Sequence, residues 1–272
     1  MGSVALIGEP RSTERSAGLY RAAAREVDAD LDVHRVEANA GNLGRVLDAL
    51  RTLGFLGAEV EGELAGAALA GVDQATPEAR AAGAVDCVKV GLRGVLHGHV
   101  TAGAAVVAVL GDTGVAGHRV LIIGAGGVAR AIAVEVARSG AADLIIADSN
   151  LPAAQSAATA ARKFSTCPTR AVPGTAAGLA DACRSVDLVI NAAGERLTMP
   201  FGALAPYHRV LDVTPTTGVT PIIREAFRQG AGRITPASYL AQRGRLNVQT
   251  WGGPDVPLGA FRTAAATYDE AA

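Results

Sequence analysis

The stretch V-L-I-I-G-A-G-G-V-A-R-A-I-A-V-E-V-A-R-S-G-A-A-D-L-I-I-A-D, residues 120–148, decides the fold. An apolar run at 120–123 meets Gly124, Ala125, Gly126, Gly127, Val128 and Ala129, and a helical pattern carries on to Arg138. Ser139-Gly140 stops that helix before a second apolar run ends in Asp148. The order is a β-α-β unit carrying a dinucleotide fingerprint. Gly124 permits the tight turn out of the strand, Gly126 lets the backbone approach a pyrophosphate, and a small residue at Ala129 lets helix and strand pack closely. The first helical turn then offers unpaired N–H groups and the positive end of its dipole to phosphates.

Asp148 selects the cofactor. A carboxylate at the tip of the second strand accepts hydrogen bonds from both ribose hydroxyls of NAD and repels the 2′-phosphate of NADP. The nearest downstream cation is Arg162, so nothing adjacent neutralises that phosphate. NAD is therefore the expected cofactor. Asp148 with Ser149 and Asn150 also suits a helix N-cap, and both roles stay open.

Composition bounds the rest. The 272 residues suffice for one large domain or two modest ones, and the formal net charge of −1 gives no reason to expect nucleic acid or an anionic membrane as partner. Apolar segments are short and broken, which argues against a membrane span. Three separated cysteines, Cys87, Cys167 and Cys183, suit a reducing cytoplasm and have no metal-ligand spacing. A small-molecule substrate is the expected partner, with homodimer formation left open.

Upstream, residues 4–7 read as a strand, 11–16 as a polar loop, and 17–27 as a helix capped by Ser16. A second strand at 31–36, a helix over Leu43–Leu53 and a third strand at 57–62 follow, with Glu59 and Glu61 on one face. Residues 85–90 and 95–100 read as paired strands. After the fingerprint, helices at 151–164, 175–183 and Pro221–Arg228 alternate with strands at 169–172, 186–190 and 210–213. The expected class is α/β: an N-terminal α/β substrate domain plus a doubly wound Rossmann-type NAD-binding domain, with C-terminal helices returning to the first domain. The boundaries fall at 1–101 with 238–272 for the first domain and 102–237 for the second.

The order of motifs resembles the shikimate/quinate dehydrogenase family over nearly the whole chain. The signposts are Gly8-Glu9-Pro10 with Ser12 and Ser16, Leu53-Gly54-Phe55-Leu56-Gly57, Pro77-Glu78-Ala79, Gly83-Ala84-Val85, and Leu96, Gly98 and Thr101. The fingerprint with Ala129-Arg130-Ala131 follows, then Asn191-Ala192, Asp212, Thr220-Pro221 and Gln242. Asn191 and Ala192 join the cofactor-binding set by this resemblance, and Ala147-Asp148 is similar to the NAD-preferring quinate dehydrogenase branch.

The family's catalytic pair does not carry over. Its lysine and aspartate, which handle the hydroxyl proton during hydride transfer, fall on Ala65 and Ala102. One carboxylate-binding serine becomes Glu14 while Ser16 survives; a threonine becomes Glu61, an asparagine Asp86, and a late tyrosine Pro215. Thr101 and Gln242 remain recognisable as substrate contacts, and Tyr239 stands near them on the returning helix.

Glu14, Glu61 and Asp86 would make the substrate cleft acidic. Two like charges ~4 Å apart repel by roughly 1 to 4 kcal/mol. Shikimate and quinate are then poor substrates, and a neutral polyol or ketone, or a cationic amine, fits better. Losing the lysine without replacement costs roughly a hundred- to ten-thousand-fold in rate. The candidate proton-transfer groups are His99, with His97 on the same strand face, and Glu61 or Asp86 with raised proton affinity. No metal is expected, although Glu14, Glu61, Asp86 and a histidine form a conceivable ligand set. An altered oxidoreductase acting on an alcohol/ketone or amine/imine pair is the leading expectation. A catalytically silent nucleotide- or metabolite-binding homologue and a lyase or isomerase are the alternatives.

Overall fold

The computed structural model describes residues 2–111, 114–194, 197–214 and 219–270, without the side chains of residues 11, 12 and 268–270. Pro215 lies outside the described residues. The chain divides into two compact units, Met1–Ala102 with Ala241–Thr267, and Gly103–Leu240 with Tyr268–Ala272.

The first unit runs β1 (Gly2–Gly8), α1 (Pro10–Glu26), β2 (Leu31–Glu37), α2 (Leu43–Leu53), β3 (Gly57–Val60), α3 (Ala65–Ala68), β4 (Gln74–Ala75), α4 (Pro77–Ala82), β5 (Cys87–Val90) and β6 (Leu96–His99). Its sheet order is β2-β1-β3-β5-β6-β4. The first three strands are parallel, and β5 and β6 form an antiparallel pair against them. One face is closed by Leu43, Leu47 and Leu50 of α2 packing with Ala5, Ile7, Val60 and Val88, so the apolar stripe of that helix supplies core.

Helix α1 begins earlier than the sequence pattern suggests. Pro10 occupies its first turn behind Glu9, and residues 11–16 form its opening turns rather than a loop. Ser16 is therefore inside the helix and caps nothing. Residues two apart on a helix face away from each other, so Glu14 and Ser16 diverge. Residues four apart share a face, which brings Ser16 and Tyr20 together.

The second unit starts from α5 (Ala102–Val109) and continues β7 (Arg119–Ile123), α6 (Gly127–Arg138), β8 (Asp143–Asp148), α7 (Leu151–Arg162), β9 (Thr169–Pro173), α8 (Ala176–Cys183), β10 (Leu188–Asn191), β11 (Arg209–Asp212), α9 (Pro221–Arg228) and β12 (Gly232–Ile234). All six strands are parallel, in the order β12-β11-β10-β7-β8-β9. Near-continuous apolar strands such as Arg119–Ile123 are what a parallel sheet covered on both faces requires. The direction of winding reverses between β7 and β10, where open α/β sheets leave a crevice at the strand carboxyl ends.

Two helices close the chain, α10 (Pro236–Trp251) and α11 (Leu258–Glu270). From Ala241 onward α10 belongs to the first unit. There Trp251 is 2 % exposed, with its ring 5.5 Å from that of Tyr20, and Tyr20 meets Phe261 edge-on at 5.9 Å. Among the described residues no helix is long and apolar enough to cross a membrane.

Candidate active site

The second unit holds a cavity of about 400 Å³ at the reversal point. Gly124, Ala125 and Gly126 line it from the β7 turn, Asp148 and Ser149 from the end of β8, and Ala192 and Ala193 from the end of β10. Gly124 has φ +113°, and a Cβ there would stand 2.7 Å from the Ala192 carbonyl oxygen, so glycine is required on both conformational and steric grounds. Gly126 precedes α6 in an extended conformation, and Gly127, Val128 and Ala129 form the first helical turn, whose N–H groups lack intrahelical acceptors. A pyrophosphate fits that arrangement because backbone donors, rather than cations, supply the attraction.

Asp148 faces this cavity while its Oδ1 accepts from the Asn150 N–H at 2.7 Å. The helix cap of α7 is Asn150, whose side chain accepts from the Ala153 N–H. That leaves the other carboxylate oxygen of Asp148 for a ribose. No lysine or arginine is among the described residues lining the cavity. Asn191 is wholly buried beneath it: its amide donates to Asp212 at 3.1 Å and to the Gly194 carbonyl at 3.2 Å, while its oxygen accepts from the Ala193 N–H. Its part is to shape the turn that Ala192 presents to the cavity.

In the first unit a pocket of about 430 Å³ lies at the carboxyl ends of β1, β2 and β3. Gly8 and Glu9 line it from β1, residues 38–40 from beyond β2, and Glu61 to Leu64 from beyond β3. Gly8 makes room for Glu61, since a Cβ would come within 2.6 Å of that side chain. Glu9, Glu61 and Glu63 give the lining three carboxyls and no described cation.

Behind Glu61 sits a buried polar network. Ser16 Oγ lies 3.2 Å from Glu61 Oε1 and 3.5 Å from Glu59 Oε1. Tyr20 donates its hydroxyl to Glu59 Oε2 at 2.5 Å, and Asn247 donates to the same oxygen at 2.9 Å. Arg243 pairs with Glu59 at 3.1 Å and reaches 4.0 Å from Asp86. Burial, then the negative charge of Glu59, pushes the Glu61 carboxyl up to about 7, against the pull of Arg243, Ser16 and Arg15. A carboxyl half-charged at neutral pH can both take and give a proton.

The other expected site residues fall out differently. Asp86, expected to transfer protons, accepts from the Thr101 N–H at 2.7 Å, the Thr101 hydroxyl at 3.2 Å and the Ala102 N–H at 3.0 Å. It anchors the start of α5 through these three hydrogen bonds and is only 3 % exposed. Thr101, expected to touch substrate, is buried and hydrogen-bonded to Asn247 at 2.6 Å. Glu14 does not join the acidic group: it points out from α1, 61 % exposed, in an ion pair with Arg35. Tyr239 is buried in the second unit, while Gln242 is buried in the first.

His99 is in register with Cys87 of β5, and Cys87 with Glu59 of β3, so all three side chains stand on one sheet face. Burial, with His97 and Lys89 nearby, lowers the proton affinity of His99, leaving a neutral imidazole at pH 7. Burial pushes the Cys87 thiol up, which removes it as a nucleophile. Ala65 and Ala102, where the resemblance puts the catalytic pair, are both buried. Sequence reasoning passed over Tyr20, Glu59 as a member of the site, Arg243 and Asn247. The four-residue spacings of Ser16 with Tyr20 and of Arg243 with Asn247 were the available signal.

Residues 120–245 match the family model described as saccharopine dehydrogenase NADP binding domain. The chain is 32 % identical to a shikimate dehydrogenase (NADP(+)) of Rubrobacter xylanophilus, an alignment covering 96 % of this chain and 94 % of that protein. The fold is shared with a ligand-free 5-ketofructose reductase of Gluconobacter sp. strain CHM43 (TM-score 0.85, 24 % identity, 97 % of this chain and 98 % of that one). It is shared equally with a quinate dehydrogenase of Corynebacterium glutamicum in complex with NAD (TM-score 0.84, 23 % identity, 98 % of this chain and 99 % of that one). Fingerprint, parallel sheet, sequence identity and coverage converge, and the chain belongs to the shikimate/quinate dehydrogenase family of NAD(P)-dependent oxidoreductases.

Proposed function

We propose that the protein oxidises or reduces a small molecule other than shikimate, using NAD, with Glu61 as the proton-transferring group. The observation that carries this reading is a carboxyl poised at about 7 on the wall of a pocket that holds two further glutamates. A carboxylate substrate would be repelled there by roughly 1 to 4 kcal/mol per nearby acid. A neutral polyol or ketone, or an amine/imine pair, meets no such penalty. The same fold carries a reductase named for 5-ketofructose, a neutral sugar.

When bound, the nicotinamide supplies the hydride acceptor or donor. The chain's own residues handle the proton. In alcohol oxidation the Glu61 carboxylate accepts the hydroxyl proton as the carbonyl forms, and in reduction the protonated acid returns it to the new alkoxide. Asp148 supports NAD because a 2′-phosphate would meet an anion with no described cation lining the cavity. Several relatives are named for NADP(+), so the choice of cofactor in this chain is to be measured rather than carried over from them.

The test is a panel of neutral polyols, ketones, amines, shikimate and quinate, each assayed with NAD and with NADP by nicotinamide absorbance. Turnover of neutral substrates or amines with NAD, lost in Glu61→Gln, is the expected result. Turnover of shikimate at ordinary enzymatic rates, or tight NADP binding, would overturn it. Tight NAD binding with no turnover across the panel would favour the silent homologue, a reading supported by alanine at 65 and 102.

A further inference from the structure

Ser16 has one hydroxyl hydrogen and two glutamate oxygens within reach, Glu61 Oε1 at 3.2 Å and Glu59 Oε1 at 3.5 Å. It can donate to one of them at a time. The other carboxyl then faces the Ser16 lone pairs, which attract a carboxylic acid O–H and repel a carboxylate. The geometry is satisfied when one of the two glutamates is protonated and donates to Ser16, which in turn donates to the other.

The surroundings decide which glutamate that is. Glu59 is 3 % exposed and is approached by donors from two helices: Tyr20 on α1, Asn247 on α10, and the Arg243 guanidinium, also on α10. Three donors, one of them charged, hold a buried carboxyl in its ionised form. The Glu61 carboxyl has only Ser16 as a described hydrogen-bond partner and borders the pocket. We propose that Glu59 and Glu61 share one proton through Ser16, and that Tyr20, Asn247 and Arg243 are positioning residues that keep Glu59 ionised so that the proton resides on Glu61.

The charges facing Glu61 are consistent with this placement. Glu59 on β3 and the pocket carboxyls Glu9 and Glu63 favour a proton on Glu61, whereas Arg15 on α1 and Arg243 on α10 oppose it. Burial, then Glu59, holds the Tyr20 phenol well above its ordinary proton affinity, so it remains a donor throughout the working range. Asp86 has its own donors at the start of α5 and does not compete.

The inference deepens the catalytic reading of Glu61 and depends on it for its use in turnover, but its test needs no substrate. The full chain is labelled with carboxyl-¹³C glutamate and titrated by NMR, with Glu59→Gln and Glu61→Gln variants assigning the two signals. Expected are a Glu61 midpoint near neutrality and a Glu59 that stays ionised across that range. Glu59→Gln should lower the Glu61 midpoint by about one unit or more, because the repelling charge is lost. Tyr20→Phe, which keeps the ring packing, should move proton affinity from Glu61 to Glu59, lowering one midpoint and raising the other.

Two ordinary carboxyl titrations in the parent protein would overturn the proposal. So would a Glu61 midpoint that neither variant moves. If Glu59→Gln does not fold, the opposed shifts in Tyr20→Phe decide the matter alone. Coupled titration without turnover on any substrate would leave this inference standing and remove the catalytic reading; turnover with uncoupled carboxyls would do the reverse.

Discussion

The two pockets are built from different materials. The cavity in the second unit is lined mostly by backbone and small residues, with Asp148 its charged side chain. The pocket in the first unit takes its character from Glu61 and from side chains on two helices and a strand that converge behind it. A backbone site is specified by short turns at strand ends where an added side chain would intrude, as at Gly124. A side-chain site is specified by residues scattered between positions 16 and 247, so its chemistry can be rewritten one substitution at a time while the fold stays. The nucleotide fingerprint is kept in this chain, while alanine stands at 65 and 102 where the family resemblance puts the catalytic pair.

The sharpest way to break this contrast is Glu61→Gln. Turnover of an accepted substrate should fall by roughly a hundred- to ten-thousand-fold while NAD affinity is unchanged, measured by steady-state kinetics and cofactor titration. A next effect follows from linkage. The folded value of Glu61, about 7, exceeds its ordinary 4.5, so the folded state holds the proton more tightly. Its contribution is fully present below pH 4.5 and is lost as the pH rises through 7, by up to about 3 kcal/mol. Denaturant melts from pH 5 to 8 should show that loss, and Glu61→Gln should remove it.

On the other side of the contrast, Gly124→Ala should cost about 1 to 3 kcal/mol of stability through its positive φ and the crowded Ala192 carbonyl, and should weaken NAD. Calorimetry with and without NAD checks both. Asp148→Asn should weaken NAD by about 1 kcal/mol and improve NADP, read by parallel titrations. Glu14→Gln, removing a surface ion pair, should change stability by at most about 0.5 kcal/mol. A large effect of Glu14→Gln on turnover would place it in the site after all.

Legibility followed the same division. The succession of continuous apolar runs and a 3.6-residue period over residues 120–148 specified the parallel sheet, because buried strands and helices bounded by glycine leave strong local signals. Helix α9 was readable to its ends, since Thr220 and Pro221 cap and open it. The start of α1 was not. A run of charged and hydroxyl residues behind Pro10 reads as loop, yet tertiary packing of Thr13, Ala17 and Tyr20 makes it helix. That misplacement hid the partnership of Ser16 with Tyr20 and put Glu14 in the wrong company. The shared face of Glu59 and Glu61 was visible from alternation alone. Arg243 and Asn247 offered only their four-residue spacing, because a contact across nearly two hundred positions has no local signature of its own.

Trp251 is the chain's single tryptophan and lies beside Tyr20 in the first unit. The protein therefore carries its own spectroscopic label, confined to one half of the molecule. Selectively excited emission reports the packing around Tyr20 in the first unit. A change in that emission on adding oxidised NAD, which does not absorb tryptophan emission, would report that cofactor binding reaches the surroundings of Trp251, without attaching a dye.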